Sequence, residues 1–340
     1  MRNGNYVVGI IGLNFGMRHL EGAIAEGYEI GALCDLREPK LKEFSEKYNI
    51  PMDRCFTDYH DLLKMEDLDI VVIATPDQLH VPLSKEFLAA GKHVLCEKPL
   101  ALTREEINDI VATEHKSGAR FMVGQICRFT PAFVKAKELI DAGTIGELYF
   151  VESEYAHDYM RIMADVQAWR SDPRRHGVIG GGCHAVDLLR WIAGNPTEVF
   201  AYGTHKLLPM AAYDDATVAL LKFPNNVMGK VFVSTGCKRN YTMRTVIYGT
   251  KGTIICDNTS DHLTLFTVDE TEWTKPAETI PVEVNNHNAA AEIRVFVEAI
   301  KNGEKVMTDA TEGASTVATC LAIVESAKTG AAVAPDYKFD

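Results

Sequence analysis

The tripeptide Glu97-Lys98-Pro99 follows the apolar run His93-Val94-Leu95-Cys96. Such a run reads as a buried strand. In an open α/β sheet, ligands bind outside the carboxyl ends of the strands. Lys98 is therefore placed to aim an ammonium at a site and not at a core. A second chemical signal lies near the N-terminus, where Tyr6–Ile11 leads into Gly12-Leu13-Asn14-Phe15-Gly16. A dinucleotide site asks for G-x-G-x-x-G at this point, because the backbone must turn tightly and approach a pyrophosphate at a helix N-terminus. Gly12 holds the first position, Asn14 replaces the second glycine, and Gly16 comes one residue early. Asparagine tolerates left-handed backbone better than other non-glycine residues. Asp35 lies 23 residues after Gly12, at the end of the next strand. An acid there takes the adenosine ribose hydroxyls of NAD. Arg37 could bind the 2′-phosphate of NADP, but Asp35 would repel it, so charge favours NAD with NADP as the alternative. Thr75-Pro76 leaves the sheet under the expected nicotinamide end. Asp77 and His80 just beyond read almost equally well as the start of a helix.

These residues need a scaffold that presents strand ends. Strand-like runs Tyr6–Ile11, Glu29–Cys34, Asp69–Ala74, His93–Cys96 and Phe121–Gly124 alternate with helical patterns over His19–Glu26, Pro39–Tyr48 and Val81–Ala90. Thr103 opens another helix, with Glu106 three residues on completing a capping box. Short apolar strands alternating with helices predict a parallel, doubly wound sheet. After Gln125 the pattern changes. Pro131–Asp141 and Gly182–Ala193 read as helices, and consecutive strands follow at Val199–Tyr202, Thr217–Phe223, Val227–Ser234, Arg244–Tyr248 and Thr253–Cys256. Consecutive strands with tight turns such as Pro224-Asn225-Asn226 predict a mainly antiparallel sheet in an α+β domain. Helices over Ala289–Lys301 and Thr311–Lys328 end the chain. The expected division is 1–125 and 126–340, with the last helix able to pack back on the first domain.

The length of 340 residues fits two domains. A net charge of -12 argues against a nucleic-acid partner, since neutralising phosphates needs an excess of lysine and arginine. No apolar run reaches the ~20 residues that span a bilayer, and Met1 to Tyr6 shows no signal-peptide pattern. The eight cysteines form no CxxC pair, which fits reduced thiols and a cytoplasmic address.

Gly12–Gly16, Asp35, Thr75-Pro76 with His80, and Glu97-Lys98-Pro99 occur in this order. Together they resemble the glucose–fructose oxidoreductase and inositol dehydrogenase (Gfo/Idh/MocA) family. Gly124-Gln125 with Arg128-Phe129, Trp169-Arg170, Gly180-Gly181-Gly182, His184-Ala185-Val186-Asp187 and Tyr248-Gly249-Thr250-Lys251-Gly252 extend the resemblance over nearly the whole chain. It implies an N-terminal Rossmann domain and a C-terminal domain with a large open sheet. It also implies a homodimer or homotetramer, and NAD(P)-dependent oxidation of a sugar, polyol or derivative. The cofactor residues it implies are Gly12, Asn14, Phe15, Gly16, Asp35, Arg37, Thr75, Pro76, His80, Glu97, Lys98 and Gln125.

The resemblance also assigns the chemistry to Lys98 and His184. Oxidising a secondary alcohol requires a group to take the hydroxyl proton, and a neutral imidazole suits that task near neutrality. An ammonium at the same oxygen would stabilise the charge that develops there. Many family members carry an aspartate four residues before this histidine, and here that position is Gly180. Asp187, one turn after His184, fits a structural role better than that of the missing partner. The segment after the expected strand Leu148–Tyr155 supplies sugar-binding types in Tyr155, His157, Asp158 and Arg161. Trp169 could stack on a sugar face, and Arg170 adjoins it. Asn285-Asn286-His287-Asn288 reads as an N-cap cluster. His157, His184 and His287 have no metal-ligand spacing, so no metal is expected. Two other functions stay open: an NAD-using glycoside hydrolase or lyase with transient sugar oxidation, and an NAD-binding regulator without turnover.

Overall fold

The computed structural model describes residues 5–160, 162–163, 169–268 and 276–339; Arg161 lies outside them. Contacts within the chain divide it into two compact units. The first is Met1–Gln125 with Asn288–Ala314 and Lys338–Asp340, and the second is Ile126–His287 with Ser315–Tyr337. The stretch expected as a single 126–340 domain is thus shared between them.

The first unit holds strands β1 (Val7–Ile11), β2 (Glu29–Cys34), β3 (Cys55–Phe56), β4 (Ile70–Ile73), β5 (His93–Glu97) and β6 (Phe121–Gly124). They form one sheet in the order β3-β2-β1-β4-β5-β6, with every pairing parallel. β1, β4 and β6 are buried at every residue, as expected when helices cover both faces of a parallel sheet. The helices of this part are α1 (Gly16–Ala25), α2 (Glu38–Tyr48), α3 (His60–Leu63), α4 (His80–Ala89) and α5 (Arg104–Lys116). At the start of α5, Thr103 and Glu106 form the predicted reciprocal capping box. The strand order reverses direction between β1 and β4, the switch point where such sheets bind ligands.

The chain returns to this unit with α8 (Ala289–Asn302). A Cβ on Gly22 of α1 would stand 2.8 Å from the backbone nitrogen of Ala290, so glycine is what lets α1 and α8 touch backbone to backbone. Past α8, the N–H of Val123 donates to the carbonyl of Thr308 at 2.7 Å, and the Thr308 hydroxyl donates back to the Val123 carbonyl. Such long-range pairing has no sequence period to announce it.

The second unit is built on α6 (Pro131–Asp141), β7 (Leu148–Ala156), α7 (Cys183–Ala193), β8 (Glu198–Thr204), β9 (Ala216–Lys222), β10 (Met228–Ser234), β11 (Arg244–Gly249), β12 (Gly252–Asp257), β13 (His262–Thr267) and β14 (Glu278–Pro281). Its eight strands run β14-β13-β12-β11-β7-β10-β9-β8, antiparallel except where β7 meets β10. The protein is therefore α/β, with a Rossmann sheet and a separate, mostly antiparallel one. β13 and β14 extend the sheet beyond the strands read from sequence. One row across it reads Phe266, Thr253, Tyr248, Phe150, Met228 and Lys222 in successive register. Along β9 the alternation buries Thr217, Ala219 and Leu221 and exposes Val218, Leu220 and Lys222. α7 packs on the opposite, buried side through β7 and β10.

Candidate active site

All the expected cofactor residues of the first unit sit at carboxyl ends of strands or just beyond. Gly12 follows β1 with φ +88°, and a Cβ there would overlap the carbonyl oxygen of Ala74. Only glycine fits, and the cradle it leaves is the shape a pyrophosphate needs. Asn14 and Phe15 follow, and Phe15 is exposed. The Asn14 Oδ1 accepts from Lys40 Nζ at 2.5 Å, so a polar side chain holds the place of the second glycine. Gly16 presses against Ile10, which seats the first turn of α1 on the sheet.

Asp35 is buried and accepts four hydrogen bonds. Leu13 N–H donates to Oδ2 at 2.9 Å, and Arg37 donates through its backbone N–H, Nε and Nη2 at 3.0, 2.8 and 2.8 Å. Its pKa lies below the ordinary aspartate value: burial raises it, but the bonds from Arg37 and Leu13 outweigh that. The Arg37 fork is spent on this carboxylate and is not held out toward a 2′-phosphate, which suits unphosphorylated NAD.

At the other end of the site, the Thr75 Oγ1 and Gln125 Oε1 atoms are buried with no hydrogen-bond partner. Unmet buried hydrogen-bonding atoms at strand ends fit a ligand that carries an amide. Pro76 follows Thr75 with extended backbone and leads into the turn Asp77–Leu79. His80 is only 1% exposed. Its Nδ1 lies 2.7 Å from the Pro99 carbonyl and its Nε2 3.0 Å from that of Thr75. Carbonyls only accept, an arrangement that favours the doubly protonated ring. Burial opposes this, but Cys96, Asp77 and the Pro99 carbonyl push its pKa up to about 10. His80 pins the loops after β4 and β5 to each other.

Glu97 ends β5, and its carboxylate accepts from Lys98 N–H at 3.2 Å and meets His19 Nε2 at 2.7 Å. Despite burial, the His19 bond and the charges of His19, Lys98 and His80 bring Glu97 down to about 2. The other face of His19 looks toward buried Glu292 of α8, with Nδ1 3.8 Å from Oε2. Burial, helped by Glu97 and opposed by His19, pushes Glu292 up to about 8. Lys98 thus stands on a strand end fixed by a buried charge cluster.

In the second unit, Val178–Gly182 forms a π-helical turn that leads directly into α7. Such turns frequently occur at functional sites. The three glycines allow close packing here. A Cβ on Gly180 would overlap the Arg175 guanidinium, one on Gly181 would stand 2.5 Å from the Tyr159 hydroxyl, and one on Gly182 would overlap Val233. That close approach brings His184, 2% exposed, onto the ring of Tyr155, stacked at 6.0 Å and 26°. The Tyr155 hydroxyl lies 2.9 Å from that of Tyr159 and 3.2 Å from His157 Nδ1. Tyr241 packs 4.7 Å from the His157 ring and 5.5 Å from Tyr155. Burial, with Tyr159 and Tyr241 nearby, raises the Tyr155 pKa well above that of an ordinary phenol.

The guanidinium groups of Arg170 and Arg175 lie 4.8 and 5.3 Å from the centre of the Trp169 ring. Arg170 is also 5.0 Å from the centre of Tyr159. Asp158 caps Met160 N–H at 3.0 Å and pairs with Lys238 at 3.2 Å. Asp187, wholly buried, takes Arg128 Nε and Nη2 at 2.8 Å each and the Thr316 hydroxyl at 2.9 Å. It is a structural anchor, as expected. His184 instead meets a thiol: Cys127 Sγ lies 3.3 Å from Nδ1.

Residues 6–125 match the family model described as an oxidoreductase family with an NAD-binding Rossmann fold, and residues 133–255 match the family's C-terminal domain. The chain belongs to the Gfo/Idh/MocA family. It is an NAD-binding oxidoreductase by that membership. Among curated relatives of this Gfo/Idh/MocA protein, a myo-inositol 2-dehydrogenase of Thermotoga maritima is 25% identical over 318 residues, or 90% of this chain and 91% of that one. An uncharacterized oxidoreductase of Bacillus subtilis is 29% identical over 74% of each. Among solved structures, a levoglucosan dehydrogenase in complex with NADH superposes with a TM-score of 0.89, covering 98% of this chain and 99% of that one at 23% identity. That likeness is one of fold.

Reading the sequence missed Tyr241, Cys127 and Met243. Tyr241 follows a strand by a few residues with no motif around it, and Cys127 reads as a small core residue. Gly180 leaves two readings open in the sequence, a polar residue of the segment Tyr155–Tyr159 in place of the acid or a chemistry other than simple polyol oxidation, and neither points to Cys127.

Proposed function

We propose that the protein oxidises a secondary hydroxyl of a sugar, glycoside or cyclitol, with NAD as the hydride acceptor. The observation that carries this reading is the cluster of hydrogen-bonding rings beside His184, in which Tyr155 stacks on the imidazole and His157, Tyr159 and Tyr241 pack against Tyr155. Phenols and imidazoles donate and accept, as a polyhydroxylated ligand requires. The inositol dehydrogenases among its relatives support the substrate class.

His184 takes the proton of the reacting hydroxyl, and Lys98 donates a hydrogen bond to the same oxygen. NAD, when bound, would supply the hydride acceptor. Gly12, Asn14, Phe15 and Gly16 hold its pyrophosphate, and Asp35, backed by Arg37, holds the adenosine ribose. Thr75, Pro76, Glu97, Lys98 and Gln125 hold the nicotinamide half, and His80 fixes the Thr75 and Pro99 loops beneath it. Tyr155, His157, Trp169 and Arg170 bind the rest of the substrate. Asp158 contributes through the turn it caps. Purified protein mixed with NAD and a panel of carbohydrates should accumulate NADH with at least one of them. Cleavage of a glycoside with no net NADH would instead favour transient oxidation followed by elimination, a reading that Gly180 supports because it removes the usual acid.

The outward face of the eight-stranded sheet exposes Tyr202, Val218, Leu220, Met228 and Phe266. Apolar side chains in register on an open face favour a second copy of this chain as the cover, giving a homodimer or homotetramer.

A further inference from the structure

Arg170 is 6% exposed, and its guanidinium makes no hydrogen bond or ion pair among the described residues; its Nε is fully buried without a partner. What it meets is aromatic: the ring centre of Trp169 at 4.8 Å and that of Tyr159 at 5.0 Å. Rings satisfy the flat face of a guanidinium. Its five N–H groups lie in the plane, and here they meet no protein acceptor. Asp172, two residues on, is forked by Arg174, and Asp214 lies 3.7 Å from His176 Nε2. A buried cation without an acceptor is costly, and a fold keeps one where a ligand completes it.

A second unmet donor stands near it. The Tyr213 hydroxyl is buried with no hydrogen-bond partner. Burial raises the Tyr213 pKa, and the charges of Arg175 and Arg170 oppose that rise. Burial also raises Tyr155, whose ring stacks on His184, and the Arg170 charge opposes it there too. The guanidinium is thus within electrostatic reach of the Tyr213 phenol and of the ring beside His184, all inside one unit of the fold. A guanidinium fork takes both oxygens of a carboxylate, and a phenol adds a third bond to one of them. The single charge of Arg170 balances a carboxylate, whereas a phosphate monoester carries nearly twice as much. We propose that Arg170 and Tyr213 bind a carboxylate, so that the substrate is a sugar acid, an aldonate or a uronate. This rests on the dehydrogenase reading for its turnover, but the anion site can be read by binding alone.

The test is calorimetric titration of the full protein, saturated with NADH, with matched compounds. These are glucose, galactose and mannose, and the uronate, aldonate and 6-phosphate of each. At least one acid should bind about ten- to a hundredfold more tightly than its neutral parent, the size of a charge-assisted bond. Arg170→Lys keeps the charge and loses the fork, and should remove most of that preference. Tyr213→Phe, which deletes one oxygen, should lower it part of the way. Acids that bind no more tightly than their neutral parents overturn the proposal, as does a 6-phosphate that binds more tightly than both acids of its series. An unchanged preference in Arg170→Lys overturns it too, and if that variant does not fold, an unchanged preference in Tyr213→Phe does so. If an acid binds through Arg170 but does not reduce NAD, the dehydrogenase reading fails and the anion site stands. NADH formation from neutral sugars with no preference for their acids has the opposite meaning.

Discussion

Asp187 receives both Nε and Nη2 of Arg128 at 2.8 Å, inside a unit where neither side chain is more than 4% exposed. Thr316 adds a third bond at 2.9 Å. Replacing one member of a buried pair leaves the other charge uncompensated. Asp187→Asn should therefore destabilise the protein by about 3–5 kcal/mol, read as a lower urea midpoint. A shift equivalent to less than about 1 kcal/mol, the size of a surface pair, would show that the bridge is not an anchor.

Gly180 and Arg175 compete for one volume. Gly180→Ala should cost about 1–3 kcal/mol by overpacking, since the guanidinium it displaces is buried and lies over Trp169 and Tyr159. In an Arg175→Ala background the same change should cost less, because the overlapping group is gone. Strict additivity in this double-mutant cycle would contradict the steric account.

The His19–Glu97–Glu292 cluster gives the stability a pH dependence. Glu292 is raised to about 8, so the folded state holds a proton that the unfolded chain releases above the ordinary glutamate range. His19 is also raised: its burial is outweighed by the bond to Glu97 and the charges of Glu97 and Glu292. Both contributions are complete at acid pH and are lost as the pH rises, Glu292's between about 4.5 and 8. Glu97 works oppositely: its contribution is present above about 4.5 and fades as pH falls toward 2. Unfolding free energy, measured by denaturant titration from pH 5 to 9, should decline, and Glu292→Gln should flatten the slope. An unchanged slope in that variant would mean that Glu292 is not protonated in the folded protein.

Cofactor choice should follow Asp35. Asp35→Ser removes the ribose acceptor and frees Arg37 from its carboxylate. NAD affinity, followed by fluorescence titration, should weaken about tenfold or more, the size of one or two charge-assisted bonds. NADP should lose less. Equal losses for both cofactors would place the selectivity elsewhere.

The exposed sheet row predicts self-association. Leu220→Asp puts a charge in the middle of the apolar face, opposite Phe200 and Lys230. Light scattering should show the wild-type oligomer dissociating to monomer in this variant, and an unaltered mass would remove the face from the interface.

What could be read from sequence was whatever is local in the chain. Gly12, Asp35 and Lys98 sit at strand ends, and strand ends are set by apolar periodicity and turn residues, so their shared edge of the sheet could be inferred. The capping box at Thr103 is likewise a three-residue pattern. The surroundings of His184 are not local. Tyr155 comes from β7, Tyr241 from the approach to β11 and Cys127 from a turn before α6, and the pairing of β11 with β7 brings Tyr241 onto the Tyr155 ring that stacks on His184. Asp158 shows the converse limit. Its type suits a sugar site, and in the fold it caps the Met160 N–H and pairs with Lys238, two contacts that no motif announces. The return of Asn288–Ala314 to the first unit depends on Gly22 and Thr308, which carry no period at all.

The central claim is hydride transfer from a carbohydrate hydroxyl assisted by Lys98 and His184. Its most direct measurement is NADH formation by wild type, Lys98→Ala and His184→Ala on a panel that includes myo-inositol, levoglucosan and common aldoses. The account predicts turnover by the wild type on at least one of them, and a loss of about 10²–10⁴ in kcat/KM for each variant on that substrate. Two variants that keep full turnover on a substrate the wild type oxidises would contradict it.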